Sequence, residues 1–232
     1  MMDGFIYNSR EFRRELMAAP HQAGEIALLN AKVQPGMMVL DAGANKGVTA
    51  VALARMIQDQ GHLFAFEPVQ EDYGKLVENL ERNGVTNVGA YQLALSDRTG
   101  RICFYWRQGG EGSGITPADG GDVIWVEATT IDEFVTVEQV ERIDFLNLDC
   151  EGSELAVLEG AKHTLGKYAP RIFCEIHHGY LQELNQTPED VVGFLGNFGY
   201  KVKPLQVEDL ETHPNLSACS HIYGEKPGLH AF

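Results

Sequence analysis

The sequence is poor in long apolar runs, in cysteine and in positive charge. None of its apolar runs approaches the about 18 residues that a membrane-spanning helix needs, so we expect no membrane partner. Residues 1–15 are charged throughout and lack the apolar core of a signal peptide. The pattern therefore favours a cytoplasmic protein.

The cysteines are few and widely spaced. They are Cys103, Cys150, Cys174 and Cys219, and no two of them form a C-x-x-C pair. This spacing argues against a disulfide framework and against a cysteine-based zinc site. We expect free thiols in a reducing compartment.

Positive charge is scarce, with 18 Lys and Arg residues against 33 Asp and Glu residues and a formal net charge of −15. An acidic surface repels nucleic-acid phosphates, and the sequence has no basic cluster or stripe to offset it. The sequence therefore predicts that nucleic acid is not a partner. The charge does not identify a small-molecule substrate.

Apolar runs typical of buried strands alternate with segments of helical periodicity. The predicted parallel strands cover residues 37–41, 62–67, 89–96, 143–149 and 171–177. This alternation predicts an α/β fold with a mostly parallel sheet covered by helices on both faces. Two last strands, near 200–206 and 217–224, have no predicted helix between them, which indicates a C-terminal antiparallel hairpin.

Two segments fall outside this alternation. Residues 101–130 contain two β-rich pieces around a glycine-rich stretch, so they predict a β-hairpin insertion between strands three and four. Residues 1–35 predict an N-terminal helical segment packed on the core. Because the sequence has no repeat and no linker-like stretch, we expect residues 1–232 to form a single domain.

A glycine loop follows the first predicted strand. It contains Asp41, Gly43, Ala44, Asn45 and Gly47 and leads directly into a helix. Glycines allow the backbone to turn sharply and to approach a ligand closely. Because open α/β sheets bind ligands at the carboxyl ends of their strands, these five residues are predicted to bind a cofactor.

The next two strand ends carry residues suited to a nucleoside. Glu67 can accept hydrogen bonds from both ribose hydroxyls, and Pro68 stiffens the turn that holds it. Ala94, Ser96 and Asp97 offer small and polar groups for an adenine ring and its amine. The three strand ends together predict a nucleoside-containing cofactor.

The spacing of the glycine loop discriminates between cofactors. A dinucleotide needs G-x-G-x-x-G, in which the second glycine lets the backbone approach the pyrophosphate. The loop here reads D-x-G-x-x-x-G and lacks that glycine, which disfavours an NAD-dependent oxidoreductase. A sulfonium nucleoside has no pyrophosphate and does not need the second glycine. A non-catalytic cofactor-binding module remains an alternative.

Several ordered motifs resemble the FkbM-type methyltransferases over about residues 36–224. They read VLDAGANKG (39–47), FEP (66–68), LALSDRTG (93–100), TIDEF (130–134) and IDFLNLDCEG (143–152). The resemblance implies a seven-stranded class I methyltransferase fold, a Rossmann-like three-layer sandwich. It also implies S-adenosyl-L-methionine as methyl donor and O-methylation of a small-molecule or glycan acceptor.

Methylation of a hydroxyl requires a base or a metal to remove its proton. Asp149 and Glu151 follow the fourth strand, and Glu175 and His177 end the fifth, where alternate residues share one face. We predict these four residues as catalytic, although Glu151 at a helix start has an alternative role in stabilising that helix. Asp149, Glu175 and His177 also suit a divalent metal, but we expect no metal.

The remaining candidates are interpreted as structural or surface residues. Ser113 is interpreted as filler in the glycine-rich stretch rather than as part of an acceptor pocket. The histidines interpreted as surface residues are His62, His163, His178, His213, His221 and His230. The acceptor and the oligomeric state stay open at this stage.

Overall fold

The structure is a computed structural model, which describes residues 4–107, 113–116, 121–209 and 214–228. The strands are β1 (Met38–Ala42), β2 (His62–Phe66), β3 (Val88–Tyr91), β4 (Ala94–Leu95), β5 (Gly100–Trp106), β6 (Asp122–Thr129), β7 (Phe145–Leu148), β8 (Arg171–Glu175), β9 (Lys201–Leu205) and β10 (His221–Glu225).

The helices cover the two faces of the sheet. They are α1 (Arg10–Met17), α2 (Pro20–Lys32), α3 (Val48–Ile57), α4 (Gln70–Arg82), α5 (Ile131–Val137), α6 (Glu154–Glu159), α7 (Lys162–Lys167), α8 (His178–Glu183) and α9 (Pro188–Asn197). None of the described helices is long and apolar enough to cross a membrane.

The main sheet has seven strands in the order β3-β2-β1-β7-β8-β10-β9. The first five pair in parallel, while β10 runs antiparallel to both β8 and β9. This order confirms the predicted, mostly parallel sheet with a C-terminal antiparallel hairpin.

Side chains on the central strands alternate between two apolar layers. Val39 and Phe145 pack on the side of α2 and α3, and Leu40 and Leu146 pack on the side of α5 to α9. All four are fully buried. Because both faces of these strands are covered, their sequences are continuously apolar, as parallel strands require. The predicted three-layer sandwich is therefore confirmed.

The predicted third strand, residues 89–96, is wrong as a single element. β3 pairs with β2 in the main sheet, whereas β4 pairs with β6 in a separate three-stranded sheet of order β4-β6-β5. The chain changes sheets between Tyr91 and Ala94. Periodicity did not reveal this change, because both pieces are apolar.

Two further boundaries differ from the prediction. The helix expected after strand four is divided at Gly160 into α6 and α7. Gly160 packs against Ser96, whose carbonyl oxygen would lie 2.1 Å from a Cβ added to Gly160. The fifth strand ends at Glu175, and His177 is the N-cap of α8 rather than a strand residue.

The C-terminal helix and the N-terminal segment follow the sequence pattern. Thr187 and Asp190 form a capping box at the start of α9. α2 buries Ile26 and Leu29 in the layer that contains α3. Gly24 brings α2 against the backbone of Val207, so the N-terminal segment lies over the end of the sheet that carries β9 and β10.

Candidate active site

The glycine loop is clamped between the ends of β2 and β7. The N–H groups of Gly43 and Ala44 both donate to the carbonyl of Phe66, at 3.1 and 2.9 Å. Gly43 has a φ of +86°, and a Cβ added to it would lie 1.8 Å from the carbonyl oxygen of Asp149. Gly47 has a φ of +87° and is the N-cap of α3. The loop therefore needs glycine at both positions.

Glu67 connects the loop to the end of β2. Its Oε2 accepts a hydrogen bond from the Asn45 N–H at 3.0 Å, and its Oε1 accepts one from the Val69 N–H at 2.8 Å. Burial raises the pKa of Glu67 to about 8. A carboxylate has about four lone-pair sites, so this side chain keeps acceptor capacity for a ligand.

Asp41 lies beneath the loop and is 1% exposed. Its Oδ1 accepts a hydrogen bond from Asn147 Nδ2 at 2.8 Å, whereas its Oδ2 has no donor among the described residues. Burial raises the pKa of Asp41 to about 6. This carboxylate supports the loop from below and is not part of the lining of the crevice described next.

A crevice of about 650 Å³ opens at the carboxyl ends of β1, β2 and β7. Of the predicted cofactor-binding residues, those that line it are Gly43, Asn45, Glu67, Pro68 and Ala94. Within the described part of the chain, Ala44, Gly47, Ser96 and Asp97 lie outside the lining. Ser96 Oγ instead donates to Asp97 Oδ1 at 3.0 Å.

The hairpin insertion forms one wall of this crevice. Ile102 and Phe104 of β5 line it together with Ser113 and Ile115. Ser113 is 8% exposed, and its Oγ accepts a hydrogen bond from the Arg107 N–H at 2.9 Å. The interpretation of Ser113 as filler is therefore wrong, because this residue is packed and faces the crevice.

The four predicted catalytic residues lie together beside the crevice. Asp149 and Glu151 line it. The Nε2 of His177 lies 3.6 Å from Asp149 Oδ1, 3.3 Å from Glu151 Oε2 and 3.7 Å from Glu175 Oε1. The ends of the adjacent strands β7 and β8 bring these residues together, as the sequence order predicted.

On the other side of its ring, His177 contacts Glu154, which is fully buried. The Nδ1 atom of His177 lies 2.7 Å from Oε1 of Glu154. Burial opposes protonation, but this hydrogen bond and the charges of Glu154, Asp149 and Glu175 raise the pKa of His177 to about 10. Burial and the charge of Glu175 raise the pKa of Asp149 well above its usual range. Of the cluster's carboxyl groups, those of Asp149 and Glu151 lie at the crevice.

Sequence reasoning missed a second cluster around Glu175. His21 Nε2 lies 3.1 Å from Glu175 Oε1, and His221 Nε2 lies 3.9 Å from Glu175 Oε2. His221 is 1% exposed, so its interpretation as a surface residue is wrong, and burial lowers its pKa to about 3. No periodicity marks His21 or His221 in the sequence, because only the fold brings α2 and β10 to Glu175.

The described histidines and acids form two groups whose spacing suits a metal ion. One group is Asp149, Glu151 and His177, and the other is His21, Glu175 and His221. The sequence analysis had combined Asp149, Glu175 and His177 as residues that suit a metal. In the structure, Glu175 belongs to the second group instead.

The remaining histidines have separate surroundings. His163 is exposed, as expected. His62 is half-buried, with its ring against Phe64, and His178 Nε2 donates to the carbonyl of Cys219 at 2.8 Å. His213 and His230 lie outside the described residues.

The strand order and the crevice define a class I methyltransferase fold. A methyltransferase FkbM from Methylobacillus flagellatus KT shares it, with a TM-score of 0.56 over 81% of this chain and 43% of that chain at 17% sequence identity. Residues 41–202 match the methyltransferase FkbM domain. The chain belongs to this family.

Two curated relatives are similar to this chain. One is the 2-O-methyltransferase NoeI of Sinorhizobium fredii, 27% identical over 152 residues, or 58% of this chain. The other is the hexuronic acid methyltransferase AglP of Haloferax volcanii, 30% identical over 176 residues, or 73% of this chain. The chain covers 61% and 66% of their respective lengths, less than two thirds of each.

Proposed function

We propose that the protein is an S-adenosylmethionine-dependent O-methyltransferase that acts on a hydroxyl of a sugar, glycan or other small molecule. The observation that carries the proposal is the crevice itself, whose lining combines Gly43, Asn45 and Glu67 with Asp149. The names of the two curated relatives support a sugar acceptor. We also propose that the chain forms a single domain.

In the proposed reaction, the acceptor oxygen attacks the methyl carbon of the sulfonium. An O–C bond forms, the S–C bond breaks, S-adenosylhomocysteine leaves, and the hydroxyl proton passes to Asp149. Alignment of donor and acceptor supplies much of the acceleration in such a displacement. Asp149 suits the role of general base because it faces the crevice.

The proposed cofactor contacts follow the lining of the crevice. Glu67 would accept hydrogen bonds from the ribose hydroxyls, and Ala94 would contact the adenine ring. The backbone at Gly43 and Asn45 would approach the amino-acid end. Asp41, Ala44 and Gly47 would hold the loop in shape, while Ser96 and Asp97 would hold the turn after β4.

The role of Glu67 predicts a loss of cofactor affinity. At about pH 8.5, where the carboxyl is largely ionised, Glu67→Gln should weaken S-adenosylhomocysteine binding by about 1–3 kcal/mol, because it removes a charge-assisted acceptor. Calorimetry measures this loss. Glu71→Gln, on an exposed residue of α4, is the matched control and should bind like the wild type.

The pKa of Glu67 adds a second readout. Because burial raises it to about 8, its carboxyl is largely neutral at pH 7 and ionises as the pH rises through that value. If ribose hydroxyls prefer the ionised form, wild-type affinity should rise between pH 7 and about 8.5, and Glu67→Gln should abolish the rise. Equal pH dependence in both proteins would contradict the ribose assignment.

The charge of the crevice predicts the class of acceptor. The described residues that line it include four carboxylates, Glu67, Asp72, Asp149 and Glu151, and no Lys or Arg. All 18 Lys and Arg residues of the chain belong to its described part. An acceptor with its own carboxylate would find no Lys or Arg partner among the described residues of this lining, and burial of an unpaired charge is unfavourable. We therefore propose an uncharged acceptor rather than a uronic acid.

The acceptor assignment is tested with matched sugars. A neutral hexoside should be methylated with at least about tenfold higher kcat/KM than the hexuronide of the same configuration. Glu151→Gln should narrow this preference, and His163→Ala, at an exposed position, should leave it unchanged. Equal or faster methylation of the hexuronide would refute the proposed acceptor class.

One ligand screen distinguishes the proposed function from its alternatives. S-adenosylmethionine and S-adenosylhomocysteine should raise the melting temperature, because ligands that bind the native state stabilise it, whereas NAD should not. Release of S-adenosylhomocysteine with a sugar library then tests turnover. Stabilisation without turnover on any acceptor would favour the non-catalytic module.

A further inference from the structure

We propose that His21, Glu175 and His221 form a binding site for a divalent first-row transition metal such as Zn²⁺. The three side chains come from α2, β8 and β10, and none of them belongs to the crevice lining. Glu175 is shared with the predicted catalytic residues, but the test of the metal site measures metal binding and does not involve the acceptor.

The ligand atoms have the spacing of a coordination sphere. Glu175 presents Oε1 to His21 Nε2 at 3.1 Å and Oε2 to His221 Nε2 at 3.9 Å, and one ligand atom from each residue lies within 4.8 Å of the others. Zn–N and Zn–O bonds of about 2.0–2.2 Å in a tetrahedron place neighbouring ligand atoms about 3.3 Å apart. Small side-chain movements would therefore bring three ligand atoms to this spacing and leave the fourth position to water.

The inner nitrogen of His221, Nε2, lies 3.9 Å from Glu175 Oε2, which is beyond hydrogen-bond distance. Ser220 Oγ lies 3.1 Å from His221 Nδ1 and 3.4 Å from the carbonyl oxygen of Leu205, to which it can donate. In the tautomer whose Nδ1–H donates to Ser220 Oγ, the Nε2 lone pair of the neutral imidazole is turned toward Glu175. The Nε2 lone pair and the Glu175 carboxylate then face each other as two acceptors in a buried place. A cation between them would be coordinated by both and would relieve their repulsion.

Both histidines have an outer partner for the other ring nitrogen. His221 Nδ1 has Ser220 Oγ, and His21 Nδ1 lies 3.6 Å from Glu208 Oε1. Such partners fix the tautomer and the ring orientation of metal-binding histidines. Two imidazoles and one carboxylate suit Zn²⁺ and its first-row neighbours better than Mg²⁺, which prefers oxygen ligands. A bound ion would tie the N-terminal segment to the sheet.

The test measures metal binding directly. Protein treated with EDTA and dialysed against Zn²⁺ should retain one ion per chain, and Co²⁺ should give absorption bands characteristic of imidazole ligands. His21→Ala should weaken Zn²⁺ binding by about 100-fold or more, and Glu208→Gln by about tenfold. Both positions are partly exposed, so the variants should fold, which circular dichroism checks.

Two controls locate the ion. His163→Ala tests for binding at surface histidines, and Glu151→Gln tests the neighbouring group of Asp149, Glu151 and His177. Both should retain wild-type Zn²⁺ affinity. The proposal is overturned if the wild type retains no Zn²⁺, if His21→Ala binds as tightly as the wild type, or if Glu151→Gln alone loses the ion.

Discussion

Asp149→Asn is expected to lower kcat by about 100-fold or more while the affinity for S-adenosylhomocysteine stays within about twofold. The amide keeps the size of the side chain and its place at the crevice but cannot accept the hydroxyl proton. The backbone carbonyl of Asp149, which packs against Gly43, is unchanged by the substitution. Loop geometry and cofactor binding should therefore survive.

The measurement needs steady-state kinetics with saturating donor and the best acceptor, together with calorimetry for S-adenosylhomocysteine. His163→Ala is the control for unspecific loss and should retain wild-type kcat. A kcat for Asp149→Asn within threefold of the wild type would show that another group takes the proton. A parallel loss of cofactor affinity would assign Asp149 to binding instead.

Much of the fold could be predicted because its strands are buried on both faces. Val39 and Leu40 point to opposite layers and are both fully buried, so the strand is a continuous apolar run. The division of the third strand was not predictable in this way. Ala94 and Leu95 are equally apolar but belong to the small sheet, and only their pairing with β6 shows it.

The acidic side of the candidate site could also be predicted, because topology alone brings the carboxyl ends of adjacent strands together. Asp149 follows β7 and Glu175 ends β8, and these two strands are neighbours. His21 and His221 reach the same place by packing, since α2 lies over the sheet and β10 inserts between β8 and β9. The local sequence around either histidine does not indicate its contact with Glu175.

Gly43→Ala is expected to destabilise the protein by roughly 3 kcal/mol and to weaken S-adenosylhomocysteine binding at least about tenfold. Two costs add. An L-residue at a φ of +86° costs about 1–2 kcal/mol. The new Cβ would also lie 1.8 Å from the Asp149 carbonyl oxygen, so the loop or the end of β7 must move, at about 1–3 kcal/mol.

Two other glycines separate these costs. Gly84 has a φ of +60° and no atom within 4 Å of an added Cβ, so Gly84→Ala should cost only the conformational term, about 1 kcal/mol. Gly74 lies within α4 with equally open space, so Gly74→Ala should stabilise by about 0.5–1 kcal/mol. Urea unfolding of the three variants measures the series. If Gly43→Ala lowered the free energy of unfolding no more than Gly84→Ala, the close approach of the loop to β7 would not constrain this position. The requirement for glycine would then come from the backbone conformation alone.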